Sequence, residues 1–149
     1  MNLQDYLLNQ SGKNWQRLLQ DWIPPLPASF TLWLVNRFGD LFIVTPDGAV
    51  HLLDVTAGTL TQLASSREDF ARLLDAGDNA AKLLQIPLVD ACHRIGMALA
   101  PHQCLGLKVP PILGGRYELA NVAPTDVSVH YSYLAYLHKQ EDIYWMPTG

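Results

Sequence analysis

The chain has 149 residues, of which 49% are hydrophobic, and it carries a formal net charge of −4. A chain of this length buries enough surface to fold without a metal or a disulfide framework, so we expect one domain over residues 1–149. The negative charge and the lack of a Lys/Arg cluster argue against direct nucleic-acid binding. No run approaches the ~20 apolar residues of a membrane span. The N-terminal residues show no signal-peptide pattern, and the two cysteines fit a reducing cytoplasm.

The N-terminal part predicts a helix followed by a proline-rich linker. Asn14 is placed to cap a helix over residues 14–22, in which Trp15 and Trp22 fall on one apolar face. Three prolines within residues 24–27 end this helix. We expect both tryptophans to face the core rather than a partner.

Residues 30–63 predict an antiparallel meander, because short alternating segments are separated by turn residues. The strands are expected at Phe30–Asn36, Leu41–Thr45, Ala49–Val55 and Leu60–Leu63. Apolar side chains on both faces of the first segment indicate a central strand. Gly39 and Gly48 stand in the first two turns, where glycine can adopt a positive φ without steric cost.

The apolar period then changes from that of a strand to that of a helix. Ser66 and Asp69 resemble a capping box at the start of a helix over residues 66–76. Further helices are predicted over residues 87–99, where Pro87 suits a first helical position, and over residues 126–139.

The stretch between the last two predicted helices is apolar and is interrupted by two prolines. It predicts strands near residues 104–109 and 116–121 that extend the meander, so the predicted fold class is α+β. Because the intervening loop over residues 110–115 is apolar, we expect it to pack against the meander. The residues assigned to the structure of the turns and of this loop are Gly39, Gly48, Pro110, Pro111, Gly114 and Gly115.

Four residues of zinc-ligand type occur within a short segment. Cys92 and His93 are adjacent, and His102 lies two positions before Cys104. Adjacent residues on a helix point about 100° apart, which is a poor arrangement for binding one ion. We therefore expect buried thiols and ordinary histidines, with no metal and no cofactor.

Three carboxylates recur every seven residues along the meander, at Asp40, Asp47 and Asp54. They suit either acid–base or metal chemistry, or the capping of backbone N–H groups in turns, and the turn positions favour the second interpretation. Tyrosines near His130 on the last predicted helix suggest either a stacking platform or half-buried packing residues. Since no nucleophile with an orienting base emerges, we do not expect an enzyme.

Candidate partner-binding residues are chosen among charged turn or loop positions and aromatic residues near the C-terminus. They are Asp40, Asp47, Arg116, Tyr133, Tyr136 and Trp145. The apolar tail that contains Trp145 is expected either to dock on the body of the protein or to face a partner.

Several motifs in a fixed order resemble a known family. They are Phe38-Gly39-Asp40-Leu41-Phe42, Asp47-Gly48, Leu53-Asp54 before Gly58, Ser66-Arg67-Glu68-Asp69-Phe70, Cys104 to Gly115, Asp126 with Val129-His130, and Leu137-His138-Lys139-Gln140. Over about residues 15–140 the chain resembles the bacterial domain of unknown function that forms the C-terminal part of type VI secretion DNase-immunity proteins. The resemblance implies an α+β fold and binding of a cognate toxin, and it implies no catalytic residue. Many members carry a preceding GAD-like domain, whereas about 14 residues precede the similar region in this sequence.

The resemblance leads to two functional hypotheses. The first is a cytoplasmic, non-enzymatic immunity-type protein that neutralises a toxin, in some members a nuclease, by direct contact. A negatively charged chain suits a basic partner of this kind through electrostatic steering. The second is a regulatory or housekeeping interaction module without a toxin partner. The oligomeric state is left open.

Overall fold

The computed structural model describes residues 2–145, with side chains as far as Lys139. Within these residues it contains a four-stranded antiparallel sheet, a two-stranded sheet and α-helices. The predicted α+β class is therefore confirmed. No helix of the described residues is long and apolar enough to cross a membrane.

The four-stranded sheet is the predicted meander. Its strands are β1 (Thr31–Val35), β2 (Leu41–Val44), β3 (Val50–Asp54) and β4 (Thr59–Ala64), and each pairs antiparallel with the next. All four residues of β2 are buried. Because alternate side chains of a strand point to opposite faces, Leu41 and Ile43 enter one core cluster, and Phe42 and Val44 enter another.

The first helical segment is shorter than predicted. Asn14 caps α1 (Trp15–Leu18) as expected, since its side-chain oxygen accepts the N–H of Arg17 at 3.1 Å. The predicted helix over residues 14–22 is then divided, and its second part is a 3₁₀ turn over Gln20–Trp22. This division leaves a compact helical corner rather than one continuous rod.

Both tryptophans of this corner face the core, as expected. Trp22 is buried, and its Nε1–H donates to the carbonyl of Tyr131 at 3.1 Å. Trp15 is half-buried and meets the Tyr131 ring edge-on, with 6.2 Å between the centroids. The N-terminal corner is thereby tied to the C-terminal helix.

Three helices connect the two sheets: α2 (Arg67–Asp75), α3 (Asn79–Leu83) and α4 (Ile86–Arg94). Ser66 caps α2 by accepting the N–H of Asp69 at 3.1 Å, as predicted. The prediction that the third helix reaches residue 99 is wrong. Gly96 has φ of 77°, which ends the helix, and Ile95 is 61% exposed instead of lying on the apolar face.

The two strands near the C-terminus do not extend the meander, which corrects the predicted sheet. β5 (Gln103–Leu107) pairs with β6 (Val122–Asp126) in a separate antiparallel ladder. Residues 116–121, predicted as a strand, instead form a loop and a 3₁₀ turn over Leu119–Asn121. Pro124 lies within β6, a position that a two-stranded edge ladder tolerates.

The loop after β5 is more exposed than its apolar sequence predicts. Pro110 is buried, whereas Leu113 is 57% exposed. Pro110 lines a cavity together with Thr56, and just after the loop the ring of Tyr117 meets that of Phe38 with 5.6 Å between the centroids. The side chain of Asn121 holds the start of the loop. Its Oδ1 accepts the N–H of Val109 at 3.0 Å, and its Nδ2 donates to the carbonyl of Val109 at 2.9 Å. Local hydrogen bonds therefore add to a partial packing of this loop.

The last helix, α5 (Val127–Trp145), begins directly after β6 and is longer than predicted. Asp126 caps it by accepting the N–H of Ser128 at 2.8 Å. Its buried face, which includes Tyr131 and Leu134, packs against the meander and the N-terminal corner. The side chain of Trp145, and the tail beyond it, lie outside the described side chains.

Candidate functional site

The turn between β1 and β2 is held by α5. The Tyr131 hydroxyl donates to the carbonyl of Gly39 at 2.7 Å, and Nε2 of His130 lies 2.8 Å from the carbonyl of Phe38. Gly39 has φ of 82°, and a Cβ atom there would lie 3.1 Å from the His130 ring and 3.3 Å from the Tyr131 hydroxyl. Glycine is thus required here both by the turn and by the approach of the helix.

Asp40, at the end of this turn, is a structural residue. It is only 5% exposed, and its carboxylate accepts the side-chain N–H of Asn36 and the backbone N–H of Val55, both at 3.0 Å. Burial, with the nearby charge of Asp54, raises the pKa of Asp40 to about 8. This burial argues against the selection of Asp40 as a partner-binding residue, which stays a prediction.

A small cavity lies between α5 and the β5–β6 hairpin. It has a volume of about 260 Å³. Its lining comprises Thr56, Gly106, Leu107, Lys108, Pro110, Ala123, Pro124, Thr125, Val129, His130, Tyr133 and Leu134. Several of these residues are small, and Gly106 pairs directly with Ala123 across the hairpin. The cavity exists because these short side chains leave space beside the helix.

An exposed stripe on α5 adjoins this cavity. Val129, Tyr133 and Tyr136 are 58%, 45% and 59% exposed, and their spacing of four and three residues places them on one side of the helix. Val129 and Tyr133 also line the cavity. We call these three residues the α5 stripe. Exposed aromatic residues next to a cavity are typical of a protein–protein interface.

The other sequence-predicted binding residues do not gather at the stripe. Asp47 lies in the β2–β3 turn, where it accepts the N–H of Ala49 at 3.2 Å and the hydroxyl of Thr45. This turn is at the opposite end of the meander from the turn that α5 holds. Arg116 is exposed in the loop before β6. Of the five candidates whose side chains the structure describes, it brings together Tyr133 and Tyr136.

The cysteines and histidines are separated by burial. Cys92 and Cys104 are buried free thiols, while His93 and His102 are exposed. Burial raises the pKa of Cys92, and it raises the pKa of Cys104 to about 12. Among the described residues, no three His, Cys, Asp or Glu side chains are grouped to bind a metal ion. The two thiols are therefore placed as packing residues.

Two of the clefts larger than the cavity beside α5 contain titratable side chains. One, of about 420 Å³, is lined by Tyr6 and Asp90, whose side chains hydrogen-bond at 2.7 Å. The other, of about 680 Å³, is lined by Lys13, Arg17 and His102 together with several polar residues. Asp40, the carboxyl group with the raised pKa, lines neither of them. Cys92 and His93 also line the first cleft, where Cys92 is buried among apolar side chains and His93 is exposed.

Sequence reasoning missed Gly106 and His130 as site residues. A glycine inside a strand is a known signal of close approach by another group, and Gly106 lies inside β5. His130 was noted only beside the tyrosines of a possible stacking platform, because its contact with a turn 92 positions earlier in the chain leaves no local signal.

Comparison with known proteins identifies the family of the segment that contains this surface. No curated protein matches the chain. A family model described as "T6SS immunity protein Tdi1, C-terminal" matches residues 64–138, which is just over half of the chain. This segment runs from the end of β4 into α5 and includes the cavity-lining residues except Thr56. The extension of the similarity to residues 15–63 stays a prediction. The chain therefore belongs to the family of the C-terminal domain of the type VI secretion system (T6SS) immunity protein Tdi1.

Proposed function

We propose that this protein is an immunity-type protein that neutralises a cognate secreted toxin in the cytoplasm by direct contact, without catalysing a reaction. The family match over residues 64–138 carries the proposal. The toxin is a nuclease in the proteins that the sequence resembles, and we propose the same class here.

We propose the α5 stripe as the centre of the contact. Large aromatic side chains contribute strongly to binding when a partner buries them, and tyrosine combines an apolar ring with a hydroxyl group. Tyr133 and Tyr136 are 45% and 59% exposed, so a partner can cover them without disturbing the core. The net charge of −4 favours a basic partner, because it attracts such a partner over a distance. Asp40 is buried and is not part of the proposed contact.

A protein that neutralises a toxin by covering its active site must form a stable complex with it. We therefore propose co-expression of the chain with the toxin encoded beside its gene, measuring growth and complex formation on a sizing column. The expected result is restored growth and co-elution. Toxicity that persists, with no complex, would contradict the proposal, and capture of an endogenous partner instead would support a regulatory module.

A matched pair of variants tests the surface. Tyr133→Ala with Tyr136→Ala removes two exposed rings, and Ile95→Ala removes an exposed side chain after α4. We expect both proteins to melt like the wild type, because substitutions of exposed residues usually change stability by less than about 0.5 kcal/mol. The double variant should bind the toxin at least about tenfold more weakly. Equal binding by both variants would place the interface elsewhere.

A further inference from the structure

His130 lines the cavity beside α5, and one of its ring nitrogens has no hydrogen-bond partner among the described residues. Nε2 of His130 faces the carbonyl of Phe38, which can only accept a hydrogen bond, so Nε2 bears the proton of the neutral ring. Burial lowers the pKa of His130 and thereby favours this neutral form. Nδ1 is consequently a hydrogen-bond acceptor.

His130 lines the cavity, and its Nδ1 atom lies near Gly106 of the same lining. His130 is only 7% exposed, and no described residue forms a hydrogen bond with Nδ1. Among the described side chains, His51 has a ring nitrogen that is both fully buried and without a partner, and His130 does not. Nδ1 of His130, which has no partner there, is therefore not fully buried. A Cβ atom on Gly106, which lines the same cavity, would lie 3.3 Å from this nitrogen. The same Cβ atom would lie 2.8 Å from Cγ2 of Thr125, so any larger residue at this position would crowd both side chains.

The size and lining of the cavity restrict what it can bind. Its volume of about 260 Å³ is below the roughly 300–1,000 Å³ of drug-sized ligand sites, so it suits a group of about one side chain. Most of the lining is apolar, and Lys108 is its one residue that is always charged. A neutral aromatic group that carries a hydrogen-bond donor complements both the walls and the acceptor.

We propose that this cavity receives one tyrosine or tryptophan side chain of the bound partner protein, whose O–H or N–H donates to Nδ1 of His130. The assignment of the partner as the toxin rests on the proposed function. Val129 and Tyr133 line the cavity and belong to the α5 stripe, so the inserted ring is surrounded by the side chains that the same partner covers. A buried anchor ringed by apolar contacts that exclude water is the usual form of a binding hot spot.

The cavity is tested directly with side-chain analogues on the full chain. p-Cresol and 3-methylindole carry the donor, and toluene is the matched probe without one. We expect the first two to shift the ¹⁵N resonance of His130 Nδ1 in a saturable manner, and toluene to leave it nearly unchanged. No saturable shift with either donor, or the same shift with toluene, would overturn the proposal.

A cavity-filling variant provides the control. Gly106→Ala adds a methyl group beside Nδ1, and Thr125→Ser removes the Cγ2 atom that would otherwise lie 2.8 Å from it. The double variant should melt cooperatively and lose the shift with both donors. Thr125→Ser alone leaves the cavity open and should respond like the wild type. Retained binding of the probes by the folded double variant would place them elsewhere and contradict the assignment.

The same variants separate this proposal from the proposed function. If the wild type binds the toxin and the filled variant binds it at least tenfold more weakly, both proposals are supported. If the two bind equally, the cavity proposal is wrong while the immunity function stands. If the wild type does not bind the toxin, the result contradicts both the immunity function and the assignment of a toxin side chain to the cavity.

Discussion

Replacing Gly39 by alanine tests whether α5 holds the β1–β2 turn. The substitution has two separable consequences, because φ is 82° at this position and the added methyl group meets the His130 ring at 3.1 Å and the Tyr131 hydroxyl at 3.3 Å. Gly48 is a matched control in the next turn. Its φ is 90°, and an added Cβ atom would have no neighbour within 4 Å.

The expected magnitudes follow from these contacts. A left-handed conformation costs an L-residue roughly 1–2 kcal/mol, and this applies to both variants. At Gly39 the methyl group must also displace His130 and Tyr131, whose hydrogen bonds to the turn are each worth about 0.5–1.5 kcal/mol. We therefore expect Gly39→Ala to lower the free energy of unfolding by roughly 2–4 kcal/mol and Gly48→Ala by roughly 1–2 kcal/mol.

Urea unfolding followed by circular dichroism measures both values. The comparison requires that the dependence of the unfolding free energy on urea be the same in the three proteins. If the two variants differ by less than about 0.5 kcal/mol, the helix does not hold the turn as we describe.

Three further predictions concern pH, the loop after β5 and metal content. The pKa of Asp40 is near 3.8 when unfolded and about 8 when folded, so its contribution to stability is present below pH 4 and is lost as the pH rises through 8. The wild type should lose stability between pH 5 and 8, Asp40→Asn should show a flatter profile in thermal melts, and equal slopes would contradict the raised pKa. Gly115→Ala should destabilise the protein more than Gly114→Ala, because a Cβ atom at Gly115 would lie 1.6 Å from a backbone carbonyl. At Gly114 the cost is only that of a φ of 95°, since the space around it is open; the opposite order in chemical denaturation would contradict this. The purified protein should contain less than one zinc per chain, and a chelator should leave Tm unchanged, because both thiols are buried; stoichiometric zinc by elemental analysis would refute this.

The meander and the helix caps were predictable because their signals are local. Turn glycines separate segments that alternate in polarity, and Ser66 caps α2 with its own backbone neighbours. β6 was missed because Pro124 argues against a strand unless the strand is known to lie at an edge. The third helix was predicted too long because the apolar spacing continues past Gly96, whose φ of 77° then ends it.

The candidate site was only partly predictable, because burial depends on contacts between distant segments. Tyr133 and Tyr136 were selected from their place on the last helix, and their exposure fits that choice. Asp40 was selected as a charged turn residue, but it is buried, and its carboxyl group bonds Asn36 and the backbone of Val55. The cavity forms where Gly106 of β5 lies close to His130 of α5. The periodicity of the sequence does not indicate contacts between such distant segments.

The contact between α5 and the β1–β2 turn has a consequence for how the chain reaches its native state. The hydrogen bonds of His130 and Tyr131 join residues 92 positions apart, and Trp22 reaches Tyr131 across 109 positions. Such non-local contacts carry a large loop-closure entropy, so α5 is expected to dock late, after the meander turn exists. The segment over residues 64–138 that the family model matches contains α5 residues without their receptor turn. Expressed as a fragment it should therefore stay unfolded, and adding residues 1–63 in trans should restore the native helix by complementation.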